Sequence, residues 1–168
     1  MSNIPKDVVI IEAVRTPIGT YKGSLKNIQA YQLGSVVIKE VLKRADLASE
    51  EVDEIIIGQV LTAGTGQNPA RQAAMEAGIP VSKPSHIVNQ VCGSGLRAVI
   101  SGLQSIKLGE SSKVITGGQE SMSITPNLIF NKNLKKNLEN ELVDTMVYDG
   151  LLDAFNNYHM GCLLYTSP

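Results

Sequence analysis

The chain is poor in the residues that announce a function by themselves. In 168 residues it has 2 cysteines, 2 histidines and no tryptophan, and aromatics make up only 4%. Two cysteines without a CxxC pair, and histidines that do not cluster, argue against both a disulfide framework and a zinc site. So few aromatics leave no stacking platform for single-stranded nucleic acid. A formal net charge of −1 gives no electrostatic footprint for nucleic acid or an acidic membrane. Long apolar runs are missing too. The run from Val8 to Ile11 ends at Glu12, too short for the core of a signal peptide or for a bilayer span, so the default expectation is a cytoplasmic protein. What the chain does have is a hydrophobic content of 43%, enough for one ordinary domain with a real core.

Read in order, strand-like and helix-like patterns alternate. Val8 to Val14 is β-branched and nearly continuous in apolarity, which predicts a strand buried on both faces. A turn follows at Thr16-Pro17-Ile18-Gly19, with Arg15 either a plain strand-end charge or a residue with a partner elsewhere. From Ile28 to Ala45 an apolar stripe through Ala30, Leu33, Val37 and Val41 opposes Lys39, Glu40, Lys43 and Arg44, the pattern of a helix laid on a sheet. Ile55-Ile56-Ile57 predicts a short buried strand behind Glu50, Glu51 and Asp53, which read as solvated loop charges. Gly64-Thr65-Gly66-Gln67 lacks the lysine and hydroxyl residue of a phosphate loop and serves a turn. The helix after it is well punctuated: Asn68 can cap it, Pro69 suits its first position, Gly78 can close it, and Ala70, Ala73, Ala74 and Ala77 allow close packing. His86 opens what reads as the central strand. Lys113 to Thr116 predicts a fourth strand, with Gly117 and Gly118 letting the backbone leave the sheet. The alternation is that of a layered α/β domain.

Between the strand from His86 and a helix carrying Leu96, Val99, Ile100, Leu103 and Ile106 lies Asn89-Gln90-Val91-Cys92-Gly93-Ser94-Gly95. Cys92 thus falls where a strand turns into a helix. Gly93, Ser94 and Gly95 allow a tight turn and leave the first N–H groups of the helix uncrowded, so negative charge there would meet those donors and the positive end of the helix dipole. That is a setting for a nucleophilic thiolate. The other reading, equally open on these residues, is a small buried hydrophobe.

The run from Asn89 to Gly95 resembles the nucleophile signature of the thiolases, and other stretches agree with that family in order. They are Ala13 to Gly19, Gly66 to Gln72, Gly117-Gly118-Gln119-Glu120-Ser121-Met122-Ser123 and His159-Met160-Gly161. The resemblance implies a thiolase-like α/β/α layered fold, present here as its N-terminal half with the start of the loop domain. Residues 1–123 would form the N-terminal α/β domain and residues 124–161 the beginning of the loop domain, which in the family helps to bind coenzyme A and build the oligomer. Asn131 to Glu141, rich in lysine and asparagine, reads by itself as a solvated surface segment and lacks the arginine and glycine landmarks that members often show there. Residues 162–168 match nothing in the family and read as a non-family tail, the expected product of a truncated gene model. By the same resemblance, the second half carries the glycine-histidine-proline motif whose histidine activates the nucleophile and a second cysteine that serves as base, and neither motif occurs in this sequence.

Carried over by resemblance, Cys92 is the catalytic nucleophile, with its backbone N–H as one oxyanion donor, and His159 and Met160 are substrate-binding residues beside the pantetheine arm and acyl pocket. The match is to the short-chain branch of the family, which condenses two acetyl-CoA to acetoacetyl-CoA or runs the reverse thiolysis through an acyl-cysteine. Alternatives are a longer-chain 3-ketoacyl-CoA thiolase and an inactive fragment. The expected partners are acetyl-CoA, acetoacetyl-CoA and coenzyme A as substrates, without a separate cofactor, metal, nucleic acid or membrane, in a homo-oligomer when full length. The helix from Leu96 to Ile106 would lie between the two halves, so that without the second half its outer face would be apolar and open.

Overall fold

A computed structural model describes residues 7–130 and 142–166. Its centre is a three-stranded parallel sheet of β1 (Glu54–Gly58), β2 (Ser85–Val88) and β3 (Val114–Gly118), in the order β2-β1-β3. Helices α1 (Ala30–Arg44), α2 (Pro69–Glu76) and α3 (Ser94–Leu108) complete the layers. Beyond them, β4 (Asn127–Leu128) pairs antiparallel with β5 (Val143–Asp144), a short π-helical turn spans Met146–Leu151, and α4 covers Met160–Thr166.

The three isoleucines of β1 explain its central place. In the register Ile55↔Ser85 and Ile55↔Ile115, both edges of β1 are paired, and alternate side chains point to opposite faces. Ile55 and Ile57 join Ile38 and Leu42 of α1 and Ala70, Ala73 and Ala74 of α2 in one core cluster. Ile56 points the other way, to the face that α3 covers. Capping of α2 is as expected: Asn68 Oδ1 accepts the Arg71 N–H at 3.1 Å, Pro69 sits at N1, and Gly78 takes φ +90° after the last turn.

Several expectations change. The strand from His86 is an edge strand, because β1 alone has a neighbour on each side. Gly117 and Gly118 do not lead the chain out of the sheet but complete β3, paired with Ile57 and Gly58. Val8 to Val14 is not a strand: residues 7–20 have no regular structure, and Val9, Ile10 and Ile11 are 72%, 79% and 73% exposed. A β-branched run can only be buried where an edge and a covering layer await it. A cavity of about 340 Å³, lined by Ile10 and Val14 on one side and by Val37, Val41 and Ile115 on the other, lies between the stretch and the layer formed by α1 and the sheet. The acidic residues before β1 are not merely solvated. Glu51 pairs with Lys113 Nζ at 2.6 Å, and Asp53 accepts the N–H groups of Ser112 and Lys113 at 2.8 and 3.1 Å, joining the starts of β1 and β3. The segment Asn131 to Glu141 lies outside the described residues. No described helix is long and apolar enough to cross a membrane.

Candidate functional site

In a parallel sheet the strand C-termini and the helix N-termini that follow them meet at one end, where ligands of open α/β folds bind. Three chain segments leave the sheet at that end: residues 59–61 after β1, 89–93 after β2 and 119–120 after β3. Buried polar side chains tie them together. Gln119 Nε2 donates to Gln59 Oε1 at 2.8 Å, and Gln59 Nε2 donates to the Leu61 carbonyl at 2.8 Å. Glu120 Oε2 accepts the N–H groups of Val60 and Leu61 at 2.9 and 3.3 Å. Burial pushes the Glu120 carboxyl above its ordinary range, and these backbone donors pull it back only in part.

Cys92 lies on this rim, and its side chain is exposed. That removes the reading of a small buried hydrophobe. The turn that presents it is not made by the glycines beside it. Gly93, the residue before α3, has φ −84°, which any residue adopts, whereas Val91 has φ +48°. A β-branched residue in the left-handed region is an outlier that costs roughly 1–3 kcal/mol and persists only where its surroundings enforce it. The enforcing bonds are present. Asn89 Oδ1 accepts the Val91 N–H at 2.9 Å, while Ser94 Oγ accepts the Gln90 N–H at 2.8 Å and donates to the Val91 carbonyl at 2.6 Å. Ser94 is only 4% exposed. Asn89 Nδ2 also donates to the Val60 carbonyl at 3.5 Å, linking the turn to the segment held by Glu120.

The anion donors also differ from the sequence reading. Gly93 N–H bonds the Gln90 carbonyl and Ser94 N–H the Val91 carbonyl, both at 3.0 Å. The first i→i−4 bond of α3 is Arg97 to Gly93. Gly95 and Leu96 are therefore the N–H groups that the helix itself leaves without an acceptor. Close approach of α3 to the sheet is secured by glycine elsewhere. A Cβ on Gly58 would overlap the backbone of Ser94 and Gly95, lying 2.6 Å from the Ser94 oxygen. Glycine at the end of β1 is what lets the N-terminus of α3 rest on the strand ends.

His159 and Met160 stand at the start of α4. His159 forms a bridge with Leu152, and its Nδ1 accepts the Gly161 N–H at 3.0 Å. Its hydrogen bonds are local, and none among the described residues joins it to Cys92. Cys162 is exposed within α4, with its N–H on the His159 carbonyl at 2.9 Å. No three described histidine, cysteine, aspartate or glutamate side chains cluster as metal ligands. Sequence reasoning placed Ser94 in the tight turn but gave its hydroxyl no task, and it gave no role to Val91, Gly58 or Glu120. The available signal was a serine two residues after the cysteine, able to back-bond into the turn, and a β-branched residue where turn formers are expected.

The family model for the thiolase N-terminal domain matches residues 8–164, and the chain belongs to the thiolase family. It is 50% identical over 157 residues to the acetyl-CoA acetyltransferase of Pseudomonas aeruginosa, covering 93% of this chain and 40% of that protein. It is 53% identical over 154 residues to a rat (Rattus norvegicus) protein named "Acetyl-CoA acetyltransferase, cytosolic", covering 92% and 39%. Among solved structures, the Acat5 thiolase from Ascaris suum in complex with coenzyme A superposes with TM-score 0.88 at 40% identity, covering 96% of this chain and 42% of that one. The chain thus has the α/β thiolase fold and spans about 40% of the length of the curated relatives it matches.

Proposed function

We propose that this chain is the N-terminal part of an acetyl-CoA C-acetyltransferase in which Cys92 is the nucleophile. The observation that carries the reading is an exposed cysteine on a braced, left-handed turn at the N-terminus of α3, at the ligand-binding end of a parallel sheet. The short-chain substrate is supported by the names of the relatives, each about half identical to this chain. Coenzyme A thioesters as partners are supported by the solved thiolase that holds coenzyme A.

In this mechanism Cys92 Sγ attacks the carbonyl of acetyl-CoA. A new C–S bond forms, the bond to the coenzyme sulfur breaks, and coenzyme A leaves as a thiol after taking a proton. A second acetyl-CoA loses an α-proton, and its carbanion attacks the acetyl-cysteine. The C–C bond forms, the bond to Cys92 breaks, and acetoacetyl-CoA is released with the cysteine regenerated. Two easier steps replace one hard one. The Cys92 N–H serves as one donor to the oxyanion of the acyl-transfer steps. His159 and Met160 flank the pantetheine arm and the acyl pocket, and the histidine and cysteine that move protons come from the second half of the thiolase fold. The working enzyme is a cytoplasmic homo-oligomer with no separate cofactor.

A chimera tests this reading. Residues 1–161 joined to the remainder of the Pseudomonas aeruginosa relative are expected to cleave acetoacetyl-CoA with coenzyme A and to carry the acetyl group on Cys92. Cys92→Ser in the chimera is expected to fold and to lose activity by at least about a thousandfold, because a serine without its own base is a poor nucleophile. Substantial thiolysis by the folded serine variant would rule out the covalent role.

A further inference from the structure

The turn before α3 holds a conformation its own residue resists. Val91 has φ +48°, and a β-branched side chain there is held by its surroundings or not at all. Three hydrogen bonds from two side chains converge on residues 90 and 91. One comes from Asn89, on the exposed side of the turn, and two from Ser94, which is 4% exposed. The two serine bonds use its hydroxyl as acceptor and donor at once, so no apolar residue of the same size replaces it. Cys92 follows Val91 directly, so the φ of Val91 sets the direction in which the chain, and with it Cys92, enters α3. We propose that Asn89 and Ser94 are positioning residues of the nucleophile: they clamp Val91 in the left-handed region and so set Cys92 against the open N–H groups at the start of α3. This rests on the reading of Cys92 as the nucleophile and adds to it the device that aims it. The clamp continues inward, because Asn89 also reaches the Val60 carbonyl, and Val60 N–H is held by Glu120. Cys92 is thereby fixed relative to the sheet as well as to its own helix.

The test uses the 168-residue chain and its two exposed thiols, with Cys162 as the internal reference. A limiting dose of iodoacetamide followed by peptide mapping gives the ratio of Cys92 to Cys162 modification, and circular dichroism confirms that each variant is folded. In the wild-type chain the ratio is expected to exceed one; a ratio of one or below would mean that the turn and the start of α3 give Cys92 no reactivity of its own and would overturn the clamp, while the nucleophile reading is tested separately by Cys92→Ser in the chimera, which restores the second half. Ser94→Ala is expected to lower the ratio about five- to tenfold, the factor carried by one hydrogen bond of ordinary net strength. Asn89→Ala, on the exposed side of the same turn, is expected to lower it about threefold. Because glycine takes positive φ without strain, Val91→Gly in the Ser94→Ala background is expected to bring the ratio back to within about twofold of the wild type. A serine that merely stabilised the domain would not be bypassed in this way. A wild-type preference for Cys92 that either alanine variant leaves unchanged, or a loss that Val91→Gly does not recover, would overturn the clamp while leaving the nucleophile reading in place.

Discussion

The two faces of the sheet are packed in different ways. On one, large side chains do the filling: Ile38 and Leu42 from α1 meet Ile55 and Ile57 from β1, and the alanines of α2 are completely buried beneath them. On the other, α3 buries Ser94, Ala98, Gly102 and Ser105, a stripe of small residues that lets helix backbone approach strand backbone. A Cβ on Gly102 would lie 2.5 Å from the Thr116 methyl group, so here too the fit leaves no slack. Leu96, Ile100, Leu103 and Leu108 of α3 are turned outward instead, with Leu96 and Leu108 68% and 72% exposed. The first face stabilises the domain by burying side-chain area. The second contributes position: it brings the N-terminus of α3, and Cys92 with it, onto the ends of the strands.

If that distinction holds, a single methyl group should cost very different amounts on the two faces. Gly58→Ala places its Cβ against the backbone of Ser94 and Gly95, which cannot rotate away. The expected loss is about 3 kcal/mol, the upper part of the range for overpacking, read as a lower denaturation midpoint. Gly117→Ala adds the same group to β3, where its Cβ would meet nothing within 4 Å. Glycine in a strand carries an entropic cost that alanine avoids, so the expected change is between zero and a gain of about 0.5 kcal/mol. Equal losses at the two glycines would break the comparison.

The first face was legible in the sequence, and the second only in part. Ile55 and Ile57, the alanines at 70, 73 and 74, and the caps at Asn68 and Gly78 each carry a local signal of spacing or backbone preference, and the structure places them as expected. The run from Val8 to Val14 carries the same kind of signal and fails, because composition states that a segment can be buried but not that an edge is ready for it. For α3 the sequence drew attention to Leu96, Val99, Ile100, Leu103 and Ile106; Val99 and Ile106 are half-buried, yet the residues that α3 buries fully are the small ones between them. At the site the place of Cys92 between strand and helix was legible. Val91 was not, because its backbone angle is imposed by Asn89 and Ser94 and is opposed to its own preference.

The end of the sheet opposite Cys92 supplies a smaller effect. Asp53 accepts N–H groups from Ser112 and Lys113, and these bonds, helped by the charges of Lys83 and Lys113, hold its carboxyl below the ordinary range against a weaker opposing effect of burial. A carboxyl lowered in the folded state stabilises it fully above the unfolded value and loses that contribution as pH falls through the folded value. Stability should therefore decline below about pH 4, where aspartate begins to protonate in the unfolded chain. Asp53→Asn should flatten this part of the profile without altering the slope nearer neutrality, as followed by urea midpoints from pH 3 to pH 7. An undiminished acid slope in the variant would place the titration elsewhere. Partial exposure of Asp53 keeps the effect well below that of Gly58→Ala.

The smallest expected change in stability concerns the outward face of α3. Leu96 is 68% and Leu103 38% exposed, and Ile100 lies between them at 37%, forming an apolar surface along the helix. Apolar patches of a few hundred Å² mark interaction sites or drive self-association, and the thiolase resemblance implies that the second half covers this one. Leu103→Lys lets the long side chain lie along the helix with its ammonium group in water, and a surface change of this kind usually stays within about 0.5 kcal/mol. Thermal melting of the 168-residue chain should therefore hardly move, while light scattering should report less self-association. The same lysine at Ile38, 1% exposed on the opposite face, would force a charge into the core and abolish folding. A Leu103→Lys variant destabilised as severely as Ile38→Lys would mean that the outer face of α3 is buried within this chain, and the contrast between the two faces would then fail.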